Sequence, residues 1–293
     1  MAHKLIDKLT KVGFLISDGA TGTNLQHRGL AKGLPGEVWV IENPRAIQLL
    51  HKDFLTAGSD IILSCTFGAS FLRLNQHNLA ERQEEIIEIA VGLAKDAIGA
   101  ENKFVAGSMG PLGQLLQPLG TLTTEEAFQA YQTQAQLLTK AGVDILLVET
   151  QFDLAEATVA IDACRSCSTL PIICSFSFDR GTRTMMGTKP EAFAEAMMEK
   201  QVDIIGINCG RSLDDNLKVL HTIKQNTDLP LWFKPNAGLP SVDEQGNTVY
   251  GTTPAQMAEM AVKARSMGAS IIGGCCGSTP EHIASITTAL KQK

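Results

Sequence analysis

The sequence has no cluster of lysines and arginines. Its 293 residues carry 25 Lys and Arg against 31 Asp and Glu, a formal net charge of −6, which argues against a surface built to attract nucleic acid or an anionic membrane. Nor does any stretch approach the roughly 20 apolar residues that span a bilayer, and the segment Met1–Lys11 has no apolar core of a secretory signal. A cytoplasmic protein acting on small molecules is expected, with neither nucleic acid nor membrane as partner. Four signatures of other chemistries are missing: the G-x-x-x-x-G-K-[ST] phosphate loop, the G-x-G-x-x-G dinucleotide fingerprint, the H-E-x-x-H zinc helix and the G-x-S-x-G nucleophile elbow. The six histidines, His3, His27, His51, His77, His221 and His282, are dispersed and none ends an apolar run, so they read as surface or packing residues.

What the sequence does hold is a series of short apolar runs rich in β-branched residues. They are Phe14–Asp18, Ile61–Cys65, Phe104–Ser108, Ile145–Glu149, Ile172–Phe176, Ile204–Asn208, Leu231–Pro235 and Ile271–Cys275. They are apolar throughout instead of alternating, as strands buried on both faces should be, and each gap has room for a loop and a helix. Thr123 with Glu126 fits a capping box, and Thr253-Pro254 and Thr279-Pro280 each place a hydroxyl before a first-turn proline. AGSD, AGVD, KQVD and MGAS precede the second, fourth, sixth and eighth runs, three of them with a glycine able to end a helix. Eight β-then-α units without a composition break or a linker fit a closed α/β barrel, a single (β/α)₈ TIM barrel over residues 1–293, better than an open doubly wound sheet.

In such a barrel the chemistry lies where the strands end. Three cysteines, Cys209, Cys275 and Cys276, fall at the ends of the sixth and eighth runs. Neighbouring residues on a straight strand point to opposite faces, so Cys275 and Cys276 can share one site only if the backbone bends, which Gly273, Gly274 and Gly277 permit. Three thiolates would leave a tetrahedral zinc with its fourth position open, the arrangement of a catalytic site. A vicinal disulfide or redox pair at Cys275-Cys276 is the competing reading. Cys164 and Cys167 have C-x-x-C spacing but no second pair to complete a zinc site, and with Cys65 and Cys174 they read as packing residues.

Asp18 and Glu149 are carboxylates attached directly to apolar runs, where burial without a partner costs several kcal/mol. A substrate ammonium group held between them would satisfy both; a hydrogen bond to the glycine-rich loop or an ion pair with an arginine would do so without a ligand. The DGATGT turn from Asp18 to Thr23 also offers backbone N–H groups that can receive a carboxylate.

DGATGT at 18–23, SCTFGA at 64–69, GPLGQLLQPLG at 110–120, ETQFDLAEA at 149–157, GINCG at 206–210, PNAGLP at 235–240 and GGCCGSTPEHI at 273–283 together resemble the zinc-dependent homocysteine S-methyltransferase family. Within it the sequence looks most like the homocysteine-binding module of cobalamin-dependent methionine synthase. It departs from the betaine-using branch, in which aromatic residues help hold the trimethylammonium group: Gly68 and Thr150 stand in their places. The resemblance implies zinc on Cys209, Cys275 and Cys276, Asp18 and Glu149 as the catalytic acids that bind the homocysteine amino group, and the backbone of Gly19 and Ala20 for its carboxylate. It further implies that the metal holds the homocysteine sulfur as a thiolate, which attacks a methyl carbon and leaves as methionine. The helix opened by Thr279-Pro280 would direct its positive end toward Cys275 and Cys276.

A complete cobalamin-dependent synthase carries further modules, and the sequence contains no D-x-H-x-x-G cobalamin signature. The expected methyl donor is therefore methylcobalamin supplied by a separate corrinoid protein. S-methylmethionine or another methylsulfonium is the alternative donor, and a non-catalytic thiol-binding barrel the alternative of another class.

Overall fold

The computed structural model describes residues 4–243 and 248–291. Seven parallel strands come first: β1 (Leu15–Ile16), β2 (Ile61–Leu63), β3 (Phe104–Met109), β4 (Ile145–Gln151), β5 (Ile172–Phe176), β6 (Ile204–Cys209) and β7 (Leu231–Pro235). An antiparallel hairpin of β8 (Pro240–Val242) and β9 (Thr248–Tyr250) follows, and the eighth barrel strand is β10 (Ala269–Ile272). Each barrel strand pairs with the next, β10 pairs with β1, and a bridge between Ser17 and Ile61 joins β1 to β2. The ring is thereby closed as a single (β/α)₈ barrel. Among the described residues no helix is long and apolar enough to cross a membrane.

Period-two alternation sorts the strand residues into two cores. Leu63, Ala106, Leu147, Ile173 and Trp232 belong to the inner one, together with Leu5 and Leu9 from the N-terminal helix Lys4–Val12. Ile62, Val105, Leu146, Ile205 and Phe233 belong to the larger core shared with the surrounding helices. Two residues further along the inner face the side chains become polar: Ala106 is followed by Ser108, Leu147 by Glu149, Ile173 by Ser175 and Trp232 by Lys234, all buried. A polar layer thus sits on an apolar floor.

The capping signals behave as their chemistry requires. Thr123 and Glu126 form a reciprocal capping box ahead of the helix Thr124–Ala141, and Thr253 with Gln256 does the same for Pro254–Ser266. Thr279 instead meets the ring of His282, whose other nitrogen lies 2.9 Å from the carbonyl of Thr252. That histidine ties the last helix to the end of the hairpin. His51 is also buried and its Nε2 has no partner, so burial holds its pKa down at about 4.

Two strand boundaries differ from the sequence pattern. β1 is confined to Leu15–Ile16, and β10 starts at Ala269 and ends at Ile272 instead of reaching Cys275. Gly273 is the reason: a Cβ there would stand 2.7 Å from the Asp18 carbonyl oxygen, and the chain leaves the ladder as Gly274 N–H donates to that same carbonyl. The hairpin and the helix Lys4–Val12 were not expected from the sequence pattern.

Two glycines give opposite expectations. Gly206, on β6, lies so close to its neighbour that a Cβ would meet the Trp232 carbonyl oxygen at 1.9 Å, whereas Gly92, in the helix Gln83–Ile98, has nothing within 4 Å. Gly206→Ala is expected to destabilise by about 3 kcal/mol or more and Gly92→Ala to stabilise by about 0.5–1 kcal/mol, both read from urea unfolding midpoints.

Candidate metal centre and substrate cleft

The ends of β6, β7 and β10 bring Cys209, Cys275 and Cys276 together. Their sulfur atoms all lie within 4.8 Å of one another, with 3.0 Å between those of Cys209 and Cys275. Each is held in place by backbone hydrogen bonds, and Cys209 also by a conformation that few residues adopt without support. Cys209 has φ +59° and is followed by Gly210 at +76°; the Asn216 side chain and the N–H of Asn236 both donate to the Cys209 carbonyl. Cys275 N–H donates to Pro235, and Ala237 N–H donates to the Cys276 carbonyl, which ties the glycine-rich turn to the end of β7.

The crowding has an electrostatic consequence. Hydrogen bonds from Cys209 and Cys275 pull the Cys276 thiol down to about 3, while Cys209 is pushed far up by its bonds to the other two sulfurs. Cys275 is lowered by its bond with Cys209, but the bond to Cys276 and burial together push it up to about 12. One negative charge is comfortable among the three sulfurs and three are not, unless a cation is present. Tetrahedral zinc with bonds of about 2.3 Å separates its sulfurs by about 3.8 Å, so the cluster would receive the ion by opening the shortest pair slightly. The donor set fits zinc. In addition, Asn236 Oδ1 is buried without a partner while its Nδ2 donates to the Gly210 carbonyl, an unused oxygen donor at the same rim.

Both acids lie in the polar layer, and their partners differ from those the sequence suggested. Asp18 is 1% exposed and its Oδ1 accepts from the Lys234 ammonium at 2.5 Å, while Oδ2 accepts from Leu63 N–H at 2.8 Å. The counter-ion is a lysine from β7 and not an arginine. Glu149 Oε1 accepts from Ser108 Oγ at 2.5 Å. Burial pushes the Glu149 carboxyl up to about 7 against the opposing pull of Lys234. For Lys234 itself burial acts downward, but Asp18 and Glu149 outweigh it and the ammonium is held above its usual range.

The expected carboxylate nest is only partly free. Ala20 N–H donates to the Ser278 carbonyl at 3.1 Å, whereas Gly19 N–H has no partner among the described residues. Gly19 itself is required, since a Cβ would meet the Phe54 ring at 2.7 Å. Beyond the rim, Asp179, Gly210, Arg211, Asn236, Leu239 and Pro240 line an open cleft of about 300 Å³.

Lys234, Asn208 and Tyr250 carry weight in the site that sequence reasoning missed. Lys234 was recoverable by the same rule that singled out Asp18 and Glu149, a charge inside an apolar run. Asn208 donates toward two of the sulfurs. Tyr250 ends the hairpin; its hydroxyl helps hold the Cys276 thiol down, and its ring lies where a Cβ on Gly277 would stand. The remaining cysteines stay apart from the cluster: Cys65, Cys164 and Cys174 are buried with thiols pushed up by burial, and all seven are free.

A family model described as homocysteine S-methyltransferase matches residues 15–290. The chain belongs to this family. The methionine synthase of Mycobacterium tuberculosis is 29% identical over 303 residues, which cover 98% of this chain and 25% of that protein; the methionine synthase of Mycobacterium leprae gives 29% over 293 residues, 94% and 24%. The chain thus spans about a quarter of the length of these curated relatives. Among solved structures, the metallated form of the homocysteine methyltransferase MmuM from Escherichia coli superposes with a TM-score of 0.82 at 25% identity, covering 97% of this chain and 99% of that one. Its oxidized form gives 0.81 at 26% identity over the same shares.

Removing the Lys234 ammonium would leave Asp18 as a buried, unpaired charge. Lys234→Met is expected to cost about 3–5 kcal/mol of stability at neutral pH, and Asp18→Asn in the same chain to restore part of it, since the two residues act as one pair. A double-mutant cycle of denaturant unfolding measures both; strict additivity would contradict the pairing.

Proposed function

We propose that this chain is a zinc-dependent homocysteine S-methyltransferase, with Cys209, Cys275 and Cys276 as the zinc ligands. The observation that carries this reading is the convergence of three sulfurs, and of no other potential metal-ligand cluster among the described residues, at the open end of the barrel. Bound there, zinc supplies the positive charge that keeps an incoming thiol deprotonated at neutral pH, where a free thiol is only a few per cent thiolate.

The chain's own residues do the rest. Glu149, with Asp18 behind it, offers negative charge to the homocysteine ammonium, and Lys234 keeps two acids and a thiolate cluster tolerable in one buried layer. The substrate carboxylate turns toward the free N–H of Gly19. Held by its two ends, the acceptor presents its sulfur in one direction, out of the barrel. A bond then forms from this sulfur to the donor's methyl carbon while the bond from methyl to carrier breaks, its electron pair leaving with the carrier. The product is a neutral thioether, a weaker ligand, and it departs.

The donor we favour is a methylated corrinoid carried on protein. Two observations support a macromolecular donor: the curated relatives are about four times as long as this chain, and Phe71, Leu119, Met185, Met186, Leu239 and Val242, all on segments that follow barrel strands at the thiol end, are exposed. A second reading is a methylsulfonium donor such as S-methylmethionine, whose positively charged leaving group makes transfer easier without a cobalt carrier. The aromatic-poor positions Gly68 and Thr150 speak against betaine.

Reduced, zinc-loaded protein assayed with homocysteine against methylcobalamin, S-methylmethionine and betaine in parallel tests the donor order. Methylcobalamin is expected to support turnover; turnover with betaine alone would overturn the ranking, and zinc loading without turnover by any donor would favour a thiol-binding barrel. A strong chelator should abolish transfer and added zinc restore it. Cys276→Ser is expected to lose both the metal, by elemental analysis, and transfer, by at least about a hundredfold; normal activity would remove Cys276 from the ligand set.

A further inference from the structure

Asn208 is the penultimate residue of β6, directly before Cys209, and is 1% exposed. Its Oδ1 accepts from the backbone N–H of Thr150 at 2.9 Å and from Ser175 Oγ at 2.5 Å. A backbone N–H can only donate, so the oxygen end of the carboxamide is fixed there and the nitrogen end must point the other way. That nitrogen stands 2.7 Å from Thr150 Oγ1, 3.4 Å from Cys209 Sγ and 3.8 Å from Cys275 Sγ. One of its hydrogens serves the threonine hydroxyl, and the other faces the two sulfurs.

The same side chain therefore grips two places at once. Thr150 has φ +60°, a conformation that a β-branched residue adopts at a cost of about 1–3 kcal/mol and holds only when its surroundings enforce it. Asn208 enforces it by binding both the N–H and the hydroxyl of Thr150, the residue that directly follows Glu149. At its other end the amide offers an N–H to two sulfurs that would be thiolates with zinc bound, the kind of outer contact that fixes and tunes metal ligands.

We propose that Asn208 is a positioning residue that couples recognition of the acceptor's amino group at Glu149 to activation of its sulfur at the thiol cluster. This rests on the zinc reading of that cluster given above. Asn208→Asp keeps the two acceptor contacts but replaces the donor with an anion facing two thiolates. Asn208→Ser shortens the clamp on Thr150 and leaves no charge behind.

The test compares both variants with the wild type for zinc affinity by chelator competition, and at saturating zinc for kcat/KM with homocysteine against 4-mercaptobutanoate, which has the same thiol and carboxylate but no amino group. Asn208→Asp is expected to bind zinc about 10–100-fold more weakly. Asn208→Ser is expected to lose about tenfold of the wild-type preference for homocysteine, mainly through KM. In cadmium-loaded wild type, the side-chain N–H of Asn208 should show scalar coupling to the metal nucleus through sulfur, a readout that does not depend on either variant folding. Wild-type zinc affinity in Asn208→Asp, unchanged preference in Asn208→Ser, or absence of that coupling would overturn the inference while leaving the zinc reading intact; a wild type that binds no zinc overturns both.

Discussion

Three sulfurs that repel one another when ionised have to meet at one point, and much of this structure is arranged around that requirement. Two of them are adjacent in the chain, so the backbone must reverse its pleat between them. It does so because Gly273 and Gly274 leave the sheet against the carbonyls of Ser17 and Asp18. The third comes from two strands away, on a residue with φ +59°. Neither local propensity nor apolar burial favours such backbone, so it must be held by the hydrogen bonds of Asn216, Asn236 and Ala237.

The polar layer beneath the sulfurs obeys a charge balance. Asp18, Glu149 and the cluster are all anionic or potentially so, and Lys234 is the buried cation among them. A buried ion pair is poor evidence for added stability, because desolvation offsets attraction. Its value here is local order: with one Asp18 oxygen on Lys234 and the other on Leu63 N–H, the acid is fixed in place before any ligand arrives. Glu149, by contrast, is held by a single serine hydroxyl and pushed up to about 7 by burial, so an incoming ammonium would strengthen its ionised form. The two acids are therefore not equivalent: Asp18 is already paired with a cation, whereas Glu149 has only a neutral hydroxyl as partner.

Much of this was legible from residue order. Eight apolar runs with helical gaps suffice to suggest the barrel, and the three cysteines were visible because each stands at the end of such a run beside glycine. Asp18 and Glu149 betrayed themselves as charges on apolar segments. The same signal was present at Lys234 in LWFKP, hidden by a following proline that made the segment look like a strand end and nothing more. Asn208 gave no signal, since an amide before a cysteine is unremarkable until the neighbouring strands β5 and β4 show what it grips. Tyr250 and its hairpin were out of reach for another reason: their strands are three residues long and largely exposed, and they acquire meaning only by lying against Gly277 and Cys276.

X-ray absorption at the zinc edge, before and after adding homocysteine without a methyl donor, shows whether the three cysteines hold a zinc whose open position takes the acceptor sulfur. Three sulfur neighbours and one lighter atom are expected in the first spectrum and four sulfurs in the second. Protein that retains no zinc, or a sulfur count that does not change on adding homocysteine, would contradict this coordination.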